Sequence, residues 1–160
     1  MPPPINYPDI NGIRYDFSSI EFGVSPIFAP IVGIQAINYE DTLDPGEIRG
    51  TSPQVIGRTR GKYDAKADIV CYVAERELIF AAVAALATTS LIGYREQPFD
   101  ITVSYSDYLQ PNIVDNIVGN RIKKPSSAHK TGQEGLMTKI ELHTMYILWN
   151  GRNPYLKFLT

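Results

Sequence analysis

KYDAKADIVCYVAERELIFAAVAALATTSLI, residues 62–92, changes its hydrophobic period partway along. Up to Val73 the period is two. Ala65, Ala67, Ile69, Cys71 and Val73 share one face, with Lys66, Asp68, Val70 and Tyr72 on the other. That is the alternation of a strand with one buried side. Over residues 74–91 the pattern turns helical: Leu78, Ala82, Ala85 and Leu86 form an apolar stripe that Ile79 and Val83 widen. Glu75 and Glu77 fall near the start, where carboxylates favour the positive end of the helix dipole. Gly93 offers a C-terminal stop. A helix this apolar, with its run of small alanines, has to pack against another layer.

On both sides of this unit the pattern is strand. Toward the N-terminus, Ile13, Tyr15 and Phe17 alternate with Arg14 and Asp16, and residues 31–39 alternate again. Toward the C-terminus, Phe99, Ile101, Val103 and Tyr105 lie opposite Asp100, Thr102, Ser104 and Ser106. NIVDNIVGNRIKK, residues 112–124, is a more mixed strand. Residues 137–149 form one long strand, with Ile140, Leu142, Thr144, Tyr146 and Leu148 against Lys139, Glu141, His143, Met145 and Ile147. Asn150-Gly151 then turns the chain toward a short terminal strand at 155–159. The sum is about seven strands and one helix, an α+β chain dominated by antiparallel sheet rather than alternating βαβ units. Such strands suit a sandwich or partial barrel wall, and any open edge needs a partner.

Three segments break the periodicity. Pro2, Pro3, Pro4 and Pro8 make residues 1–10 an extended arm. Residues 40–60 carry Asp44-Pro45-Gly46, then Gly50, Pro53 and Gly57, and read as one long loop. Loops of that length usually serve a function or are ordered by a partner. This one retains Leu43, Ile48, Val55 and Ile56, which free solvent does not favour. Residues 125–136 are polar and read as a second loop. No internal repeat is present, and 160 residues suit a single domain, 1–160.

Composition narrows the function. With 44% hydrophobic and 20% charged residues the chain can build a core. A net charge of −2 lacks the basic surplus that tight nucleic-acid binding needs, though it permits a protein that sits beside DNA without gripping it. Cys71 is the sole cysteine, so no intrachain disulfide or thiolate cluster forms, and its apolar neighbours predict a buried, inert thiol. The N-terminus has neither a basic nor an apolar signal region, and residues 78–92 fall short of a membrane span.

Catalytic and cofactor signatures are missing. His129 and His143 stand in no zinc spacing and read as surface residues. GRTRGK, residues 57–62, has one residue too few for a phosphate loop, and Tyr63 stands where Ser or Thr must meet magnesium. The acids Glu40, Asp41, Asp44 and Glu47 lack the order of a calcium loop. Arg49, Arg58 and Arg60 follow them. Opposite charges at the two ends of one segment suit head-to-tail contact between copies; the alternative is a solvated loop of mixed charge.

INGIRYDFSSIEFGV (10–24), RGTSPQVIGRTRGKYDAKADI (49–69), the apolar helix and IELHTMYILWNGR (140–152) together resemble the tail tube proteins of tailed phages. The resemblance implies a β-sandwich or partial barrel with one flanking helix. It implies hexameric rings whose inner strands form a channel barrel, stacked through residues 40–60 and the arms. The seven charged residues Glu40, Asp41, Asp44, Glu47, Arg49, Arg58 and Arg60 become subunit-interface candidates. Asp68, Asp100 and Glu141 become candidates for the lumen or ring surface, where an acidic wall would keep phosphates from sticking. The protein so implied is a non-enzymatic virion component without a cofactor or membrane association, assembled in the host bacterial cytoplasm. Its partners are further copies of itself, sheath and baseplate proteins if the tail contracts, and genomic DNA passing through without tight binding. The same architecture would serve a baseplate, hub or tail-terminator ring. A small-ligand-binding β-barrel, with residues 40–60 as a lid, is the alternative from another class.

Overall fold

The structure, a computed structural model, describes residues 20–25, 34–51, 53–87, 92–107, 110–132 and 135–154. The expected arm at 1–10 and the strands at 13–17 and 155–159 lie outside them. The elements are β1 (Ile20–Ser25), β2 (Ile34–Asp44), β3 (Glu47–Arg49), β4 (Val55–Arg58), β5 (Lys62–Tyr72), α1 (Val73–Leu86), β6 (Phe99–Asp107), β7 (Gln110–Ser127), β8 (Met137–Thr144) and β9 (Tyr146–Leu148). Seven strands form one sheet in the order β1-β6-β7-β8-β5-β2, with β9 also on β7, while β3 and β4 pair separately. Every pairing is antiparallel. The sheet does not close, so the fold is an α+β partial sandwich.

The bend that makes a sandwich out of one sheet lies in β7. Its first part, to Asn120, pairs with β6 on one side and β9 on the other; from Arg121 onward it pairs with β8. Gly119 stands at the changeover with φ +69°, a conformation that suits glycine. A Cβ there would come within 2.6 Å of Met145 Sδ. Met145 is where the strand expected at 137–149 breaks into β8 and β9, because its N–H goes to Val118 O (3.1 Å). The inner faces of the two halves then meet. β5 and β8 supply Ala67, Ile69, Cys71, Ile140 and Leu142, and β6, β7 and β9 supply Phe99, Ile101, Val103, Ile117 and Ile147. In β5, β6 and β8 these are the faces the alternation predicted; the mixed pattern of residues 112–124 gave none for Ile117, and Ile147 points inward because the break at Met145 resets the phase. Replacing Ile140, fully buried, with alanine is expected to cost about 2–5 kcal/mol in urea unfolding, since the rigid strands around it cannot collapse into the gap.

A polar clamp crosses between the halves. Tyr39 of β2 donates its hydroxyl hydrogen bond to Asp115 Oδ2 (2.6 Å) and also meets the Tyr105 hydroxyl. Asp115, only 5% exposed, accepts from Asn150 N (2.9 Å) through its other oxygen. The Tyr39 ring lies 5.0 Å from that of Trp149. Nearby, Tyr63 donates to Asp41 (3.0 Å) and accepts from Ile147 N (3.1 Å). Burial, with the neighbouring carboxylate adding to it, raises both phenols: Tyr63 is pushed up to about 12, and Tyr39 also lies well above its ordinary value. Above pH 10 the unfolded chain therefore releases protons that the folded chain keeps, so stability falls as pH rises from 10 toward 12. We expect Tyr39 and Tyr63 to ionise only together with unfolding, read as tyrosinate absorbance tracking the loss of circular dichroism.

The helix begins where the two-residue period ends. Val73 N bonds to Leu136 O (3.1 Å), and Glu75 occupies the first turn. It stops at Leu86, short of the expected 91, because Ala87 leaves helical geometry ahead of a Thr-Thr-Ser run that favours other conformations. Gly93 instead opens a turn closed by Glu96 N (2.9 Å). The helix buries Ile79 and Val83 against the ends of β5 and β8. Its opposite side, Ala74, Leu78, Ala81 and Ala85, stays open, with Leu78 63% exposed. Cys71 is fully buried, and that burial pushes its thiol pKa up, as an inert core thiol requires.

Candidate assembly surfaces

Residues 40–60 are not a loop. β2 and β5 pair from Ile34–Cys71 out to Asp44–Lys62, whereas β8 begins to pair with β5 only at Ala65. The ends of β2 and β5 thus leave the sheet as a two-stranded ribbon, and β3 and β4 continue it as a hairpin with Glu47 opposite Arg58 and Ile48 opposite Gly57. At the joint, Thr59 N bonds to Gly46 O (2.8 Å) and Gly46 N to Thr59 Oγ1 (2.9 Å). Gly61 takes φ +80°, and a Cβ on it would sit 2.2 Å from Asp44 O. Alanine there has to rotate the ribbon away from its present direction. Gly61→Ala is expected to leave the core's melting transition in place while speeding proteolysis within residues 44–62, read by limited digestion and mass spectrometry.

Among the described residues no core lies beneath the ribbon. Leu43, Ile48, Val55 and Ile56 are all exposed, Ile56 at 67%. A lone two-stranded hairpin is marginal in water, and exposed aliphatic side chains on one mark a contact surface. Its strandedness was invisible in sequence because both faces meet solvent, which removes the period-two contrast, and because β3 and β4 are short and flanked by Gly and Pro.

The seven interface candidates fall in different places. Glu40 points from the polar face of β2 and stands opposite Lys66; Asp44 stands opposite Lys62 at the start of the ribbon. Asp41 faces the other way and accepts from Tyr63. Glu47 and Arg49 are bonded to each other at 2.7 Å within β3, so this pair is satisfied inside one chain rather than held open for a neighbour. Arg58 lies opposite Glu47 on β4, and Arg60 follows in the joint.

Of the three lumen candidates, two come together and one does not. Asp68 and Glu141 stand opposite each other on β5 and β8, on the outward polar face of the half-sheet β2-β5-β8-β7. Asp100 is on β6 in the other half, where Oδ1 accepts from Gly119 N (2.9 Å) and holds the bend in β7. The face bearing Asp68 and Glu141 is also balanced rather than acidic. Asp68 receives Asn38 Nδ2 at 3.0 Å and lies 3.7 Å from Lys139 Nζ, Glu141 stands opposite Lys124, and Glu40 opposite Lys66. His143 is exposed on that same face, and His129 is exposed in the 128–132 segment. Among the described residues no three His, Cys, Asp or Glu side chains converge on a metal site, and no helix is long and apolar enough to cross a membrane.

No family model and no curated protein matches the chain by sequence. Solved structures do. A chain of the sheath/tube terminator of an extracellular contractile injection system (PVC, extended state) superposes with TM-score 0.63 at 10% identity, over 86% of this chain and 97% of that one. The tube-terminating cap of the anti-feeding prophage gives 0.62 at 14% identity, over 90% and 96%. A PVC sheath–tube complex gives 0.62 at 13%, over 89% and 91%. The chain therefore shares its fold with chains of these injection-system and prophage assemblies. At these identities the likeness is one of fold.

Proposed function

We propose that this chain is a non-enzymatic structural subunit that polymerises, as stacked hexameric rings, into the tube of a phage-like tail. The observation that carries the reading is the ribbon of residues 42–62. It projects from the sheet with its aliphatic side chains exposed, a surface that a subunit needs only if another subunit covers it. Leu43, Ile48, Val55 and Ile56 bury themselves in the adjoining ring, while Arg58 and Arg60 with Asp44 give that contact its polar rim. The open helix face around Leu78 adds a second apolar surface. The face of Asp68 and Glu141 lines the channel. Its balanced charge lets genomic DNA pass without a strong field of either sign to hold it. Further partners are sheath and baseplate proteins, the place of action is the virion tail, and assembly occurs in the bacterial cytoplasm.

The fold likeness to a sheath/tube terminator and to a tube-terminating cap, each covered almost end to end, supports a second reading as the ring that ends a tube. A ligand-binding barrel is disfavoured, because the space between the half-sheets is filled by Ile69, Val103, Ile117 and Ile140. Mass photometry over a concentration series tests the proposal. A main tube subunit gives a ring species and then open-ended growth, and a terminator stops at the ring. A monomer throughout would refute both.

A further inference from the structure

The polar face of the half-sheet β2-β5-β8-β7 carries a gradient of charge from one edge to the other. In cross-strand register Glu40, Lys66, His143 and Arg121 form one row, and Asn38, Asp68, Glu141 and Lys124 the next. Inside the sheet Asp68 is held by Asn38 and Lys139. At the edges the charges segregate. β2 ends the face with exposed Glu40, and β7 ends it with exposed Arg121 and Lys124. Among the described residues, none of these three belongs to an ion pair within 4.0 Å.

Both edges lack a further strand among the described residues. β2 pairs only with β5, and β7 from Arg121 onward pairs only with β8. Their directions fit: the four strands alternate, so a β7 edge set beside the β2 edge of another copy continues the antiparallel order, and a rotation repeats it. The β7 edge is nevertheless a poor backbone template. Arg95 donates to the carbonyls of Ile122 (3.4 Å) and Lys123, and Pro125 has no N–H to offer. Few ladder bonds remain for a neighbour, so side chains must select it.

We infer that copies of this chain join head to tail by setting the acidic β2 edge against the basic β7 edge, with Glu40 of one copy answered by Arg121 and Lys124 of the next. Arg95 and Pro125 keep the β7 edge from recruiting arbitrary strands, which leaves charge to choose the partner. The inference rests on the self-assembly proposed above and names the joint within each ring, which is distinct from the ribbon contact between rings.

The test uses two full-length variants, Glu40→Lys and Arg121→Glu, compared with the wild type by sedimentation velocity and by melting temperature. Both sites are exposed, so both variants melt like the wild type. Each alone now sets like charges against each other at the joint, and its concentration for half-assembly rises by about tenfold or more. In a one-to-one mixture the β2 edge of the Glu40→Lys chain meets the β7 edge of the Arg121→Glu chain, and opposite charges face each other again. The mixture therefore assembles, with equal numbers of the two subunits by native mass spectrometry. Variants that assemble alone like the wild type, or a mixture that stays dissociated, overturn this joint while wild-type assembly preserves the general reading. A wild type that never assembles removes both.

Discussion

Replacing residues 47–58 with a two-residue Asn-Gly turn is expected to yield a protein that melts within a few degrees of the wild type yet never grows beyond single rings. Of the residues removed, none whose accessibility is described is buried, and none belongs to the core cluster or to the partly buried hydrophobic residues packed on it. The hydrogen bond between Thr59 N and Gly46 O closes the ribbon below the cut, so β2 and β5 remain paired to their ends. Lost are Ile48, Val55 and Ile56, three of the four exposed aliphatic side chains that the proposal buries between rings. At about 25 cal/mol per Å² of apolar surface, contacts of this kind repeated around a ring dominate stacking, and their loss abolishes it rather than weakening it. Sedimentation and melting curves on the same preparation separate the two outcomes. Normal growth of the deletion variant would mean that the ribbon does not join rings.

The second large effect lies in the core. Asp115→Ala removes the carboxylate that receives both Tyr39 from the opposite half-sheet and the backbone N–H of Asn150. The Asn150 N–H then loses this acceptor, and the Tyr39 hydroxyl keeps its contact with Tyr105. We expect a loss of about 2–4 kcal/mol, from two charge-assisted bonds, one of them to the half-buried Tyr39 hydroxyl. Asp115→Asn keeps an acceptor oxygen in place and should cost less. Urea midpoints at constant slope measure both, and an Asp115→Ala change under about 0.5 kcal/mol would show that the clamp does not hold the halves together.

What sequence made legible follows from where one face is buried and the other is not. The switch from strand to helix at Tyr72–Val73, the inward set Ala65, Ala67, Ile69 and Cys71, and the β6 alternation from Phe99 to Val103 all carry that contrast. The ribbon does not, because water reaches both of its faces. The break at Met145 depends on the positive φ of Gly119, a residue on another strand, and no local pattern announces it. For the same reason the clamp of Tyr39 and Asp115 was unreadable, since it joins residues 76 positions apart. Among the candidate site residues, alternation placed Asp68 and Glu141 correctly on a polar face. It had no means of telling that Asp100 belongs to the other half-sheet, or that lysines opposite the acids cancel their field.

In the function proposed above, this fold completes itself with copies of itself around a hollow axis. Negative-stain electron microscopy of the purified full-length protein, over a range of concentration and salt, tests it most directly. Ring-shaped particles with a stain-filled centre, stacking into hollow rods as concentration rises, are expected. Uniform single subunits under every condition, with no ring in any field, would contradict it.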